Sequence, residues 1–158
     1  MRVQSQPNTL PQRQLVLDLC HDTRDIFERM MRASKVHERQ EGGDLVRGAC
    51  LFACVLLQQS LEQFAECTVA IRGGDGESDG GLVDAQGVKQ GHYWIEGSTA
   101  TGDRFLADIT ADQFHFELVV LLWQEDAAWE RYQAGGQDVV NAHVTEMWGE
   151  LESAGRMP

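Results

Sequence analysis

Three side chains of this chain could together carry out nucleophilic chemistry: Cys50, His92 and Asp108. Cys50 follows Gly48 and Ala49 at the predicted start of a helix, where unpaired N–H groups and the positive end of the helix dipole favour a thiolate. An imidazole beside the thiol completes its activation, and a carboxylate on the second ring nitrogen fixes the tautomer. The chain must therefore bring His92 and Asp108 to Cys50.

The two partners of the thiol fall on adjacent predicted strands. Short apolar runs predict strands over 93–96 and 104–109, joined by a turn over 98–103 that contains glycine. An antiparallel hairpin can bring His92, at the head of the first strand, beside Asp108 in the second. A carboxylate in such an apolar run is costly to bury alone. Its candidate partners are His92, a backbone N–H and Arg104.

The spacing of apolar residues along the chain predicts two helices, then a sheet, then a helical tail. The predicted elements are a loose leader (1–11), helices (12–39, 47–66), strands (68–72, 93–96, 104–109, 116–123), a short helical piece (125–133) and a C-terminal helix (138–154), with a stop at 41–44. This order is typical of an α+β fold. The length of 158 residues favours a single domain spanning 1–158.

The order of the three reactive residues and their neighbours resembles the transglutaminase-like branch of the papain-like cysteine hydrolases. The matching pieces are Gly48-Ala49-Cys50, His92-Tyr93-Trp94 and Asp108-Ile109-Thr110, within residues 45–123. The resemblance implies a helix that starts at the cysteine and packs on an antiparallel sheet carrying the other two residues. It also implies a nucleophile at Cys50, a general base and acid at His92, and an orienting carboxylate at Asp108. The implied substrates are peptides, proteins or small amides, cleaved or transferred at amide or thioester bonds without a cofactor.

One part of the implied machinery has no assigned residue. Many papain-like enzymes place a glutamine shortly before the cysteine as a donor to the oxyanion, and Gln40, Asp44 and Arg47 are not in register for this. The backbone N–H of Cys50 could supply one donor. Tyr93 and Trp94 alternate across their strand, so one is expected in the core and the other in a cleft. Both are candidate substrate-binding residues.

The segment 73–91 is rich in glycine and aspartate and is predicted to be a mobile loop that borders the cleft as a lid. Full burial of Val83 and Val88 would argue against this. The acidic residues Asp75, Glu77 and Asp79 lack the spacing of an EF-hand, so calcium binding is not predicted.

Other interpretations of the same residues remain open. Each cysteine can be a small buried hydrophobe, which is the interpretation favoured for Cys54 and Cys67. The fold can also be a catalytically inactive interaction module, or Cys50, Cys54 and His92 can form a zinc site that lacks a fourth ligand. Four more histidines (His21, His37, His115, His143) are assigned to surfaces or caps, and Asp112 to a cap or turn.

Composition limits the partners and the compartment. The net charge is −12, from 25 acidic and 13 basic residues, so nucleic acid binding is not expected and a basic protein partner could be attracted. The apolar runs are too short to span a membrane. The N-terminus lacks an apolar signal segment, which predicts a cytoplasmic protein without disulfides.

Overall fold

The fold is α+β. The computed structural model describes residues 9–33 and 43–156, with side chains for 10–33 and 49–153. Its helices are α1 (Thr9–Ala33), α2 (Gly43–Ala65) and α3 (Gln137–Arg156). Its strands are β1 (Thr68–Gly74), β2 (Gly81–Val83), β3 (Lys89–Gln90), β4 (His92–Ser98), β5 (Arg104–Asp108), β6 (Val120–Trp123) and β7 (Tyr132–Gln133). Two 3₁₀ turns span Ala111–Phe114 and Ala127–Arg131.

The main sheet is antiparallel, with the strand order β1-β4-β5-β6. The predicted hairpin is confirmed: β4 and β5 pair antiparallel, with Ile95 opposite Ala107. Because the strands run in opposite directions, β4 begins at the end of the sheet where β5 finishes. His92 and Asp108 therefore share that end.

Apolar side chains cover both faces of the main sheet. On one face α1, α2 and α3 pack over a core that includes Leu57, Leu61 and Ile95, each no more than 1% exposed. On the other face Trp94, Leu106 and Tyr132 form a second cluster. Strand alternation explains the division, since successive residues point to opposite faces. Both faces hold the strands that carry His92 and Asp108 in place.

The helices start earlier than the sequence predicts. α1 begins at Thr9, so the predicted leader is wrong for residues 9–11, and residues 1–8 and 34–42 lie outside the described part of the chain. Pro11 lies in the first turn, where backbone N–H groups have no partner within the helix. The missing N–H of a proline is therefore tolerated there. α2 begins at Gly43 instead of residue 47. Cys50 therefore lies about two turns inside the helix.

The segment 73–91, predicted to be a loop, contains the end of β1 together with β2 and β3. β2 pairs with β3 and, across a long stretch of chain, with β7. Leu82 is fully buried in the second cluster, while Val88 is 54% exposed. The carboxylates of Asp75 and Asp84 accept backbone N–H groups of their own turns, which satisfies those donors locally. The segment supplies two tight turns and the strands β2 and β3 of a small three-stranded sheet, β3-β2-β7.

The last third of the chain follows the prediction with shifted boundaries. The fourth strand of the main sheet begins at Val120, four positions later than predicted, and the short helical piece is the turn Ala127–Arg131 followed by β7. Among the described residues, no helix combines the length and apolarity needed to cross a bilayer.

Candidate functional site

The structure brings the three reactive residues into one hydrogen-bonded line. Cys50 Sγ lies 3.3 Å from His92 Nδ1, and His92 Nε2 lies 2.8 Å from Asp108 Oδ2. α2 carries the thiol to the end of the sheet where β4 begins and β5 ends. The imidazole thus bridges a sulfur on one nitrogen and a carboxylate on the other, which is the geometry of a general base with an orienting partner.

The thiol lies within α2 and not at its start. Its expected activation by the helix N-terminus is therefore wrong, because the dipole effect is confined to the first turn. The imidazole of His92, in contact with the sulfur, can stabilise a thiolate here. Cys50 is only 2% exposed, so a substrate reaches it only when a covering group moves.

Asp108 receives hydrogen bonds at both carboxylate oxygens. Oδ2 accepts from His92 and from the Tyr132 hydroxyl at 2.7 Å, and Oδ1 accepts from the Thr110 N–H at 3.0 Å. Burial alone raises the pKa of Asp108, but the charge and hydrogen bond of His92, with Thr110 and Tyr132, bring that pKa below its ordinary value. Arg104 is not a partner; its guanidinium lies over the ring of Trp129.

His92 is held charged by its surroundings. Burial lowers the pKa of the imidazole, but the charge and hydrogen bond of Asp108 and the contact with Cys50 outweigh this and raise the pKa to about 10. At neutral pH the ring is therefore an imidazolium between a carboxylate and a sulfur. Phe114 packs edge-on against it, with ring centroids 5.0 Å apart, and limits its rotation.

Gln113 is a site residue that the sequence analysis did not identify. Its Nε2 donates to Cys50 Sγ at 2.7 Å and lies 3.3 Å from His92 Nδ1. The residue belongs to the turn Ala111–Phe114, directly after the strand that carries Asp108. The polar residues just beyond the strand that carries Asp108, within residues 110–113, were the signal available for it. Tyr132 was also missed, and no local pattern marks it.

The two aromatic candidates have different positions. Trp94 is fully buried; its indole N–H donates to Glu96 at 2.9 Å and its ring packs on Tyr132. Trp94 is thus the member of the pair that lies in the core, as expected for one of the two. Tyr93 points to the other face, contacts His143 through its hydroxyl, and lines a surface cavity of about 360 Å³.

The remaining cysteines are buried, as expected for Cys54 and Cys67. Burial raises the pKa of Cys20 to about 12 and that of Cys67 to about 11. Burial, with the charges of Asp108 and Cys50, raises the pKa of Cys54 well above its ordinary value. These thiols stay protonated at neutral pH, so an electrophile distinguishes them from a thiol paired with an imidazolium.

Two further assignments from sequence need correction. Asp112 does not cap its turn with its carboxylate; the carboxylate pairs with Arg24 of α1 at 2.6 Å. Within the described residues, no three His, Cys, Asp or Glu side chains are arranged to hold a metal ion, so the zinc set of Cys50, Cys54 and His92 is not assembled.

Comparison of the chain with family models, curated proteins and solved structures produced no match. The chemistry of the site must therefore be inferred from its own geometry.

Proposed function

We propose that this chain is a cysteine-nucleophile hydrolase or acyltransferase that acts on amide or thioester bonds. The observation that supports this most directly is the line from Cys50 Sγ through His92 to Asp108, with links of 3.3 and 2.8 Å. A cysteine that is buried only for packing needs no imidazole beside it. A histidine that is buried only for packing needs no carboxylate that is itself hydrogen-bonded to two further donors. The combination is costly to bury and is suited to nucleophilic catalysis.

The reaction follows from the positions of the three groups. The thiolate of Cys50 attacks the carbonyl carbon, a C–S bond forms, and the carbonyl π pair moves onto oxygen. The oxyanion collapses, the bond to the leaving amine or thiol breaks, and the imidazolium of His92 gives its proton to that group. Water or an acceptor amine then transfers a proton to His92 and attacks the thioester. The C–S bond breaks and Cys50 is released.

A papain-like fold is part of this proposal. The arrangement of α2 with the nucleophile, packed on an antiparallel sheet with His92 and Asp108 on neighbouring strands, agrees with the transglutaminase-like resemblance. The described chain lacks one feature that the resemblance implies, a helix that starts at the cysteine. Release of the acyl group to water makes the protein a peptidase, deamidase or amidase, and release to an amine makes it transglutaminase-like.

A second candidate is an inactive interaction module on the same fold. It is favoured by the burial of the site, since Cys50, His92 and Asp108 are each no more than 2% exposed. The net charge of −12 suits a basic protein partner. In such a module the hydrogen-bonded line serves stability alone, and Cys50 gains no reactivity.

Thiol labelling separates these two candidates. At neutral pH, iodoacetamide followed by peptide mapping should label Cys50 at least tenfold faster than Cys20, Cys54 or Cys67, because only Cys50 lies beside an imidazolium. Cys54→Ser, on the same helix, is the matched control and should leave labelling of Cys50 unchanged. Equal slow labelling of all four cysteines in the folded protein would favour the inactive module.

A further inference from the structure

We propose that the side-chain amide of Gln113 is the donor that stabilises the oxyanion during acyl transfer at Cys50, and that it covers the sulfur until an acyl group arrives. This inference rests on the proposed function. It assigns a catalytic role to a residue that lies beyond Asp108 in the chain, far from the segment that precedes the cysteine.

Because α2 starts at Gly43, the backbone N–H of Cys50 cannot serve as the oxyanion donor. Only the first four N–H groups of a helix lack an intrahelical acceptor. Cys50 lies beyond them, so its own N–H is used in the helix ladder and is not free for an oxyanion. A helix that began at the cysteine would have supplied this donor from its backbone. The described site needs another one.

Gln113 has the right atom in the right place. Its Nε2 lies 2.7 Å from Cys50 Sγ. The oxyanion forms on the oxygen bonded to the carbon that the sulfur attacks. A donor in contact with the sulfur is therefore also within reach of that oxygen. Effective donors lie about 2.7–3.1 Å from the oxyanion. When the acyl carbon bonds to sulfur, Nε2 can exchange its contact with Sγ for one with the new charge.

The turn that carries Gln113 is anchored independently of the three reactive residues. The guanidinium of Arg24 donates to both carboxylate oxygens of Asp112, at 2.6 and 3.0 Å, and to the Ile109 carbonyl at 2.7 Å. Arg24 belongs to α1, so the turn is held by a helix that carries none of the residues of the hydrogen-bonded line. Such anchoring prepares a donor before the charge develops, which is the condition for electrostatic stabilisation of a transition state.

The oxygen end of the Gln113 side-chain amide is not satisfied by the contacts present in this structure. Gln113 Oε1 is buried and has no hydrogen-bond partner among the described residues. A buried acceptor without a donor is unfavourable. A side chain that only filled space here would be better apolar. At rest the amide therefore uses only its donor end, through Nε2.

Two electrophiles test the assignment by a ratio of rates. Iodoacetamide alkylates Cys50 without forming an oxyanion, whereas p-nitrophenyl acetate acylates it through one. In Gln113→Ala the ratio of acylation to alkylation should fall by about 10²-fold or more, the usual effect of losing one oxyanion donor. Alkylation itself should stay constant or increase, since the cover is removed. Gln86→Ala, on an exposed turn, is the control and should leave the ratio unchanged.

The outcomes separate this inference from the proposed function. If the wild type is acylated in a manner that depends on His92 but Gln113→Ala keeps the wild-type ratio, Gln113 is only a cover and the inference is wrong. If the wild type is not acylated at all, the proposed function fails and takes the inference with it. Gln113→Glu, of nearly the same shape, provides a second variant should alanine prevent folding. Its ratio should fall as well, because a carboxylate cannot donate and repels the oxyanion.

Discussion

Asp108 is a buried carboxylate on which three hydrogen-bond donors converge. It is 1% exposed and accepts hydrogen bonds from an imidazole, a phenol and a backbone amide. An ionised group in that position is tolerated because each donor compensates part of its lost hydration. The sequence alone indicated that Asp108 needs a partner and offered three candidates. It could not indicate Tyr132, which lies far along the chain and is brought in by the pairing of β2 with β7.

The effect of replacing Asp108 on stability should depend on whether the new side chain still offers an acceptor to the three hydrogen-bond donors around it. Asp108→Ala leaves His92, Tyr132 and the Thr110 N–H unpaired in the interior and should lower the free energy of unfolding by about 3–5 kcal/mol. Asp108→Asn keeps an acceptor and should cost less. Urea unfolding measures both, with the exposed Glu130→Ala as a control expected within about 0.5 kcal/mol of wild type. Equal stability of Asp108→Ala and wild type would contradict the hydrogen bonding described here.

The charged state of His92 predicts the direction of a pH effect on stability. Its pKa in the folded protein is raised to about 10, above its ordinary value, so folding favours the imidazolium. That stabilisation is complete below the ordinary histidine pKa of about 6.5 and is lost as the pH rises through about 10. The stability difference between wild type and His92→Gln should therefore shrink between pH 6 and pH 10. A difference that grows over this range would show that His92 is buried as the neutral ring.

At the scale of elements, the parts predicted well are those set by local pattern. The β4–β5 hairpin, the end of α2 and the C-terminal helix follow from apolar spacing and turn residues. The small sheet was missed because β2 and β3 are two or three residues long and are completed by β7, whose pairing with Gly81–Val83 depends on distant chain segments. The start of α2 was missed because the apolar run begins only after the helix does.

The close approach of β1 and β4 at Gly97 predicts how a substitution away from the site residues affects stability. A Cβ added at Gly97 would lie 2.5 Å from the Thr68 carbonyl oxygen and would also collide with Val69, so the strands cannot keep their register. Gly97→Ala should therefore destabilise the protein by more than about 1 kcal/mol. Gly149→Ala in α3 meets nothing within 4 Å and should be neutral or stabilising by up to about 1 kcal/mol. Thermal unfolding compares the two, and equal melting temperatures would contradict this packing.

At the scale of the whole molecule, the hydrogen-bonded line lies where α1, α2, the main sheet and the small sheet meet. α2 contributes the thiol, the main sheet the imidazole and carboxylate, and β7 of the small sheet the phenol of Tyr132. α1 fastens the turn of Gln113 through Arg24. Each reactive group is therefore held by a different element, and the packing of these elements sets the contacts of the imidazole with the thiol and the carboxylate.

The pH dependence of Cys50 alkylation by iodoacetamide tests the coupling of the thiol to the imidazole and carboxylate most directly. If the imidazolium stabilises the thiolate, the rate should reach half its maximum at a lower pH in wild type than in His92→Ala. Asp108→Asn should lie between them, because it weakens the charge on the ring without removing it. Cys54→Ser should behave as wild type. The same midpoint in wild type, His92→Ala and Asp108→Asn would show that the three residues are not coupled and would contradict the assignment of a catalytic site.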